Sequence, residues 1–503
     1  MKIKRIMIAA PKSGSGKTVV TCALLKALKD MGRNVVSYKC GPDYIDPMFH
    51  EKIIGVPAEN LDTFFTDEET TMELFQNSAK GADFAVIEGV MGLYDGLGGI
   101  REEGSSYHLA KVTKTPIVLV VDSKGMGRSV ISVIAGFLDY DDKHLIKGVI
   151  LNRISKGYYE ILKPLIEKEL RIKVIGFLPE NDKLHIESRH LGLVLPNETS
   201  AADSVNAKDL ISEKLQAASK LFALNVSIEG IEKIAEDIES IEEAGYCENT
   251  EYCENAQYCE EAEESEQQNN MLCEKKTNVS EIYGTEQGKK PYTASDTPII
   301  AVAKDEAFCF YYKDNIRLLE KYGAKISYFS PLRDEELPQG CHALLIGGGY
   351  PELYAGKLSA NTKMLDAVKC AAENKMPIVA ECGGFMYLHS CLKDQAGICY
   401  NMAGVVPATC FYTGKSVRFG YIELKEKRSY FLPEGDRVKG HEFHYYDSTC
   451  NGEDTTARKP VTGKEYSCVI ENETQWLGFP HLYYPSNPAF AKAFVDKARS
   501  WRI

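Results

Sequence analysis

Along most of the chain, short apolar runs alternate with stretches whose apolar residues recur at helical spacing. Lys4 to Ala10 (KRIMIAA) is the first run, and after a glycine-rich turn the apolar positions from Val19 to Lys29 fall on one helix face. The β-rich runs Asn34 to Tyr38, Phe84 to Ile87, Ile117 to Val121, Ile146 to Leu151 and Val174 to Leu178 follow, separated by lengths sufficient for helices. This order predicts an α/β domain with a mostly parallel, doubly wound sheet covered by helices on both faces, ending near residue 225. The same grammar resumes at Pro298 to Ala303 and continues through a helix over Leu318 to Tyr322, then Lys325 to Phe329, Ala343 to Ile346 and Pro377 to Ala380. A second α/β domain is expected from 298 to 503, richer in strands toward its end, around Gly420 to Leu424 and Val469 to Ile470.

Residues 228 to 297 break the pattern. Between Glu229 and Glu266 there are fifteen acidic residues and one base, Lys233, while the whole 503-residue chain carries a net charge of -13. That segment carries -14, so it accounts for the whole imbalance and the rest, at about +1, is close to neutral and presents no basic surface for nucleic acid. The segment reads as an acidic, disordered connector between domains 1–227 and 298–503. Tyr-Cys-Glu recurs at 246, 252 and 258, and a metal site from Cys247, Cys253, Cys259 and Cys273 is the alternative, although the close cysteine pairs of ordinary zinc sites are missing. No run approaches the length of a membrane span, and no cleavage site follows Met1 to Pro11, so a soluble cytoplasmic protein is expected. The fifteen cysteines are scattered without a disulfide framework and read as mostly buried or incidental thiols.

Chemistry concentrates where strands end. Gly14-Ser15-Gly16-Lys17-Thr18 follows a strand and opens a helix, the context of a phosphate-binding loop. Backbone N–H groups can hold phosphate oxygens, Lys17 can reach the β- and γ-phosphates of ATP, and Thr18 can ligate Mg²⁺. Pro11 stands where the usual first glycine would be. Lys12 resembles the extra lysine of P-loop proteins that dimerise over nucleotide, so a homodimer is one reading of it and a solvated lysine the other. Downstream, Asp43 and Asp46 in KCGPDYIDP, and Glu88 and Asp95 in EGVMGLYDG, place carboxylates where a nucleotide-bound Mg²⁺ is expected, with helix or turn caps as the alternative for any one of them. Lys39 adds a cation for phosphate, and Asn152-Arg153 is a candidate contact for the purine base.

Pro377 to Met386 is a strand running into Glu381-Cys382-Gly383-Gly384 and a helix, an elbow that exposes a nucleophile beside backbone N–H groups, with a helix N-terminus to lower the thiol pKa. Gly347-Gly348-Gly349 offers a second backbone for an oxyanion hole. The cysteine needs a base, and spacing leaves His441, His444 and His481 open.

Taken together, PKSGSGKT, KCGPDYIDP, EGVMGLYDG, GGGYPELY, ECGGFMYL, GHEFHYY and FPHLYYPSNP resemble the cobyrinic acid a,c-diamide synthase family. The resemblance implies a dethiobiotin synthetase-like ATP-binding domain joined to a class I-type glutamine amidotransferase domain. It implies Cys382 as glutaminase nucleophile with His481 as its base, and an oxyanion hole from Gly348, Gly349 and Gly383. Gly14, Ser15, Gly16, Lys17, Thr18, Lys39 and Asn152 would serve the nucleotide, and Thr18, Asp43 and Glu88 the Mg²⁺. Tyr44, Asp46, Asp95 and His441 would face the substrate. The class I glutamate two places after the histidine is Tyr483 here. ATP, L-glutamine and a corrinoid tetrapyrrole are the implied small molecules, with no nucleic acid and no membrane. The alternatives are the same amidation on hydrogenobyrinic acid or nickel sirohydrochlorin, a related cobyric acid synthase, and a P-loop regulatory or partitioning ATPase, which leaves the Cys382 elbow unexplained.

Overall fold

The computed structural model describes residues 3–180, 188–189, 192–193, 204–236 and 297–502. The first domain is built on seven parallel strands: β1 (Lys4–Ala9), β2 (Val35–Cys40), β3 (Ala58–Leu61), β4 (Phe84–Glu88), β5 (Ile117–Asp122), β6 (Ile146–Asn152) and β7 (Lys173–Leu178). Their order is β3-β2-β4-β1-β5-β6-β7. The chain leaves β1 in one direction for β2 to β4 and returns to its other side for β5 to β7, so the crevice of an open α/β sheet lies at the ends of β1 and β4. Five of these strands are buried along nearly their whole length, as a sheet covered on both faces requires. The strand β3 escapes sequence reading because Ala-Glu-Asn-Leu is short and polar; among the described residues it is an edge strand paired with β2 alone.

The acidic connector begins later than expected. Ile228–Glu236 is a helix, with Ile231, Ile234 and Ala235 in the same core as Val20, Leu24 and Leu28 of α1 (Lys17–Asp30). Arg33 and Lys4 pair with Glu232 and Glu236 on its outer side. The periodicity was there to be read, but four charges in nine residues outweighed it in composition. The remainder of the segment, with the Tyr-Cys-Glu repeats and Cys247, Cys253, Cys259 and Cys273, lies outside the described residues.

In the second domain, five parallel strands take the order 325–329, 299–303, 343–346, 378–381, 475–478, with Ile470–Glu471 antiparallel at the end. A second, mainly antiparallel sheet packs beside it around the long strands Val406–Glu426 and Arg437–Ser448, and His481–Leu482 pairs at its edge. Cys391 and Cys399 are joined by a disulfide between neighbouring strands, a pair that the scattered cysteine spacing did not mark out.

The two domains share one apolar cluster, in which Tyr312 and Tyr483 of the second pack with Tyr44, Phe64 and Phe65 of the first. Polar contacts reinforce the seam: Arg317 to Glu59 at 2.5 Å, Tyr421 Oη to Asp62 Oδ2 at 2.7 Å, and Lys439 Nζ to the Phe64 carbonyl at 2.8 Å. Among the described residues no helix is long and apolar enough to cross a membrane.

Candidate active site

The glycine turn after β1 carries φ of 75° at Gly14 and 96° at Gly16, values that favour glycine, and it releases the chain into α1 at Lys17. Thr18 Oγ1 donates to Glu88 Oε1 at 2.6 Å. Lys39 Nζ reaches the same oxygen at 3.1 Å and Asp46 Oδ2 at 2.6 Å, with Asp43 Oδ2 at 3.9 Å. Strand ends β1, β2 and β4 therefore bring the phosphate loop and both acidic motifs together. Burial alone would push the Glu88 carboxyl up, but Lys39, with the nearby His50 ring and the hydrogen bond from Thr18, holds it well below the usual range. Burial and the neighbouring Lys39 push Lys17 down to about 8. Its ammonium donates to the Met91 carbonyl in EGVMGLYDG, a position from which it can swing to a phosphate.

The oxygens in this cluster suit Mg²⁺. Glu88 Oε2 and Asp46 Oδ1 are buried and make no hydrogen bond, and the Thr18 hydroxyl lies beside them. Among the described residues no three such side chains close a cage by themselves. That fits a cation held chiefly by phosphate and water.

Asn152, expected at the purine base, donates from Nδ2 to the Ser15 carbonyl at 2.8 Å, and its Oδ1 accepts from the Arg153 amide. Both of its polar ends are engaged by backbone, so it buttresses the phosphate turn. Asp95 likewise holds backbone, accepting from the Gly92 amide at 3.0 Å. Lys12 is exposed. Sequence reading passed over His50, which is fully buried and bridges Ser37 Oγ at 2.8 Å and Glu88 Oε2 at 3.5 Å. Nothing in its surroundings in sequence marks it out.

At the other end, Cys382 terminates the strand Ile378–Glu381 with φ of 48° and ψ of -104°, the strained elbow that the motif suggests. A Cβ on Gly383 would stand 3.0 Å from the Gly349 amide nitrogen, so the two glycine loops meet where an oxyanion hole is needed. The helix after Cys382 has only six residues, and the thiol is not lowered as expected: burial and the Glu352 carboxylate push it up. Cys382 therefore rests as a thiol and must give its proton to a base. Two of the three candidate histidines stack, His441 and His481 having ring centroids 4.9 Å apart. His444 packs on Phe479, with its Nδ1 2.6 Å from the Tyr446 carbonyl. Burial, then His444, pushes His481 down to about 3.

One cavity of about 930 Å³ joins these ends. Ser13, Asp43 and Met91 line it on the first domain, and Gly349, Cys382, His441 and His481 on the second. Tyr44 forms the wall between them, stacked on Phe310 at 5.0 Å and lying 5.3 Å from His481. The cavity mouth is apolar, with Phe419 stacked on Phe443 at 4.4 Å and Val461 against Gly98. Glu352, Phe310, Phe419 and Val461 were not singled out from sequence, because only the fold brings them to one wall.

Residues 6–194 match the CobQ/CobB/MinD/ParA nucleotide binding domain, and residues 299–479 the CobB/CobQ-like glutamine amidotransferase domain. The second match stops short of His481, whose role as the base is what the motif resemblance implies. The chain is 36% identical over 501 residues to the cobyrinate a,c-diamide synthase of Caldanaerobacter subterraneus, covering 98% of both proteins. It is 36% identical over 487 residues to that of Fusobacterium nucleatum, covering 96% of this chain and 98% of the relative. With the Thermoplasma volcanium protein of the same name the identity is 34% over 504 residues, covering 99% and 98%. An ATP-binding loop, a cysteine elbow and full-length likeness to these proteins converge on one assignment: the chain belongs to the cobyrinate a,c-diamide synthase family.

Proposed function

We propose that this enzyme amidates the a and c carboxylates of cobyrinic acid, using ATP to activate each carboxylate and glutamine as the source of ammonia. The single cavity shared by Cys382 and the phosphate-loop face carries this reading. A carboxylate oxygen attacks the γ-phosphorus of ATP, ADP leaves, and an acyl phosphate forms. Lys17 and the turn amides hold the transferring phosphoryl group. Bound Mg²⁺ neutralises charge on the phosphate oxygens; Thr18, Glu88 and Asp43 would hold it, with Asp46 and Lys39 setting their orientation.

At the second site Cys382 loses its proton to His481 and attacks the glutamine carboxamide. The amide oxygen is held by the Gly349 and Gly383 amides, ammonia leaves, and water releases glutamate from the thioester. Ammonia then crosses the cavity past Tyr44, attacks the acyl phosphate, and displaces phosphate to give the amide. Enclosure matters because ammonia reaching bulk water would be protonated and lost. The apolar mouth at Phe419, Phe443 and Val461 suits the face of a tetrapyrrole, with Tyr44 and His441 on the inner wall. Small molecules in the cytoplasm are the partners in this reading.

The direct test incubates the protein with Mg²⁺, ATP, glutamine and, separately, cobyrinic acid, hydrogenobyrinic acid and nickel sirohydrochlorin. Mass spectrometry should show two amidations of cobyrinic acid. Absence of amidation with cobyrinic acid would overturn the proposal.

A further inference from the structure

His481 is held on three sides. A Cβ on Gly348 would stand 2.2 Å from its Cε1, His441 stacks on it with rings 12° apart, and Tyr44 closes a third side. Yet Nδ1 of this buried ring makes no hydrogen bond. A buried ring nitrogen left so is destabilising, and its tautomer is then unspecified. What faces Nδ1, at 3.8 Å, is Glu381 Oε2.

Glu381 is well placed for more than chance contact. It precedes Cys382 on the same strand and pairs across the sheet with Gly478, from which the neighbouring chain turns back to present His481. Its other carboxylate oxygen accepts from Tyr484 Oη at 3.4 Å, and the Leu482 amide also donates to the carboxylate. The residues that flank His481 thus aim the carboxyl at the ring. Tyr483 cannot do this work: its hydroxyl donates to Asp314 Oδ2 at 2.8 Å and its ring stacks on Phe65 at 5.0 Å, so it belongs to the seam between domains.

We propose that Glu381 is the positioning residue for His481, accepting a hydrogen bond from Nδ1–H so that Nε2 is left bare for the Cys382 thiol. The Sγ–H proton passes to Nε2 as the S–C bond forms. Nε2 returns it to the departing nitrogen as the C–N bond breaks, and Glu381 faces the imidazolium between those events. A ring shift of under one ångström brings the pair within hydrogen-bond reach, the tightening expected when substrate fills such a site. This inference rests on Cys382 and His481 acting as the glutaminase pair.

The test measures glutamine-dependent and ammonium-dependent amidation in Glu381→Gln, Glu381→Asp and Tyr484→Phe, with Cys382→Ala alongside. Glu381→Gln should lower the glutamine-dependent kcat about a hundredfold, with the KM for glutamine within about threefold and ammonium-dependent turnover within about twofold. Glu381→Asp should recover about tenfold of the loss, and Tyr484→Phe, which keeps the carboxylate, should cost about fivefold in kcat alone. Glutamine-dependent kcat of Glu381→Gln near the parent value overturns the inference, as does equal loss of both activities in a folded variant. Full glutamine use by Cys382→Ala sinks instead the underlying reading. If Glu381→Gln does not fold, Tyr484→Phe decides by the same split.

Discussion

Tyr44 follows directly on Asp43 at the phosphate end of the first domain, and its ring lies 5.3 Å from that of His481 in the second. It also touches Tyr312 and His441, at 4.6 and 5.7 Å. One loop therefore carries the Asp43 carboxylate at the phosphate-turn end and a ring against His481.

Tyr44→Ala should leave ammonia a leak. Glutamine hydrolysed per amide formed is expected to rise severalfold, and the truncation should cost about 3–5 kcal/mol of stability, while Tyr44→Phe preserves coupling. The ratio of glutamate to amide product, measured at equal folded concentration, checks this.

The two chemistries should separate by mutation. Cys382→Ala is expected to abolish glutamine use and retain amidation with high ammonium. Lys17→Ala should stop amidation while some glutamine hydrolysis survives. Loss of both activities in a folded Cys382→Ala protein would contradict separate sites.

Gly16 has no room for a side chain: a Cβ would stand 2.2 Å from Asn152 Nδ2, and its φ is 96°. Gly16→Ala should therefore displace Asn152 from the Ser15 carbonyl and raise the KM for ATP about tenfold or more, with glutaminase activity retained. Steady-state kinetics on both half-reactions distinguishes this from global damage.

His389 offers a pH signature. It is buried between the Phe385 carbonyl at 2.7 Å and Ser448 Oγ at 2.6 Å, and burial pushes it from 6.5 down to about 4. The unfolded chain binds its proton more readily, so this group's contribution is intact above pH 6.5 and is lost as pH falls toward 4, by about 3 kcal/mol. The stability gap between the parent and His389→Gln should shrink by that order over this window. Denaturant midpoints as a function of pH measure it, with other titrating groups common to both proteins.

No residue named at either site lies in 240–290, so deletion of that stretch should leave glutamine-dependent turnover within about twofold. The deletion should stop short of Glu236, because Ile231, Ile234 and Ala235 are core residues. A large fall in turnover with intact folding would show that the acidic segment takes part in catalysis.

Sequence carried the two α/β halves and their reactive ends because both are local. A phosphate turn is five consecutive residues between a strand and a helix, and the Cys382 elbow is a strand, a strained residue and two glycines; backbone geometry ties each residue type to its place. The edge strand Ala58–Leu61 and the helix Ile228–Glu236 were not legible, since the first lacks apolar alternation and the second is masked by charge. Local pattern could not show that the Asn152 amide holds the Ser15 carbonyl, which depends on the end of one strand lying beside the phosphate turn.

Pairings between distant residues were decided by tertiary structure alone. Spacing left three histidines open, and nothing in the chain joins Tyr44 to His481 or Glu381 to its Nδ1. These contacts depend on which strands lie side by side and how two domains close on a shared apolar seam. Strand order and domain docking are long-range choices, settled by burying the whole surface at once, whereas a motif reports only the few residues that its own backbone holds together.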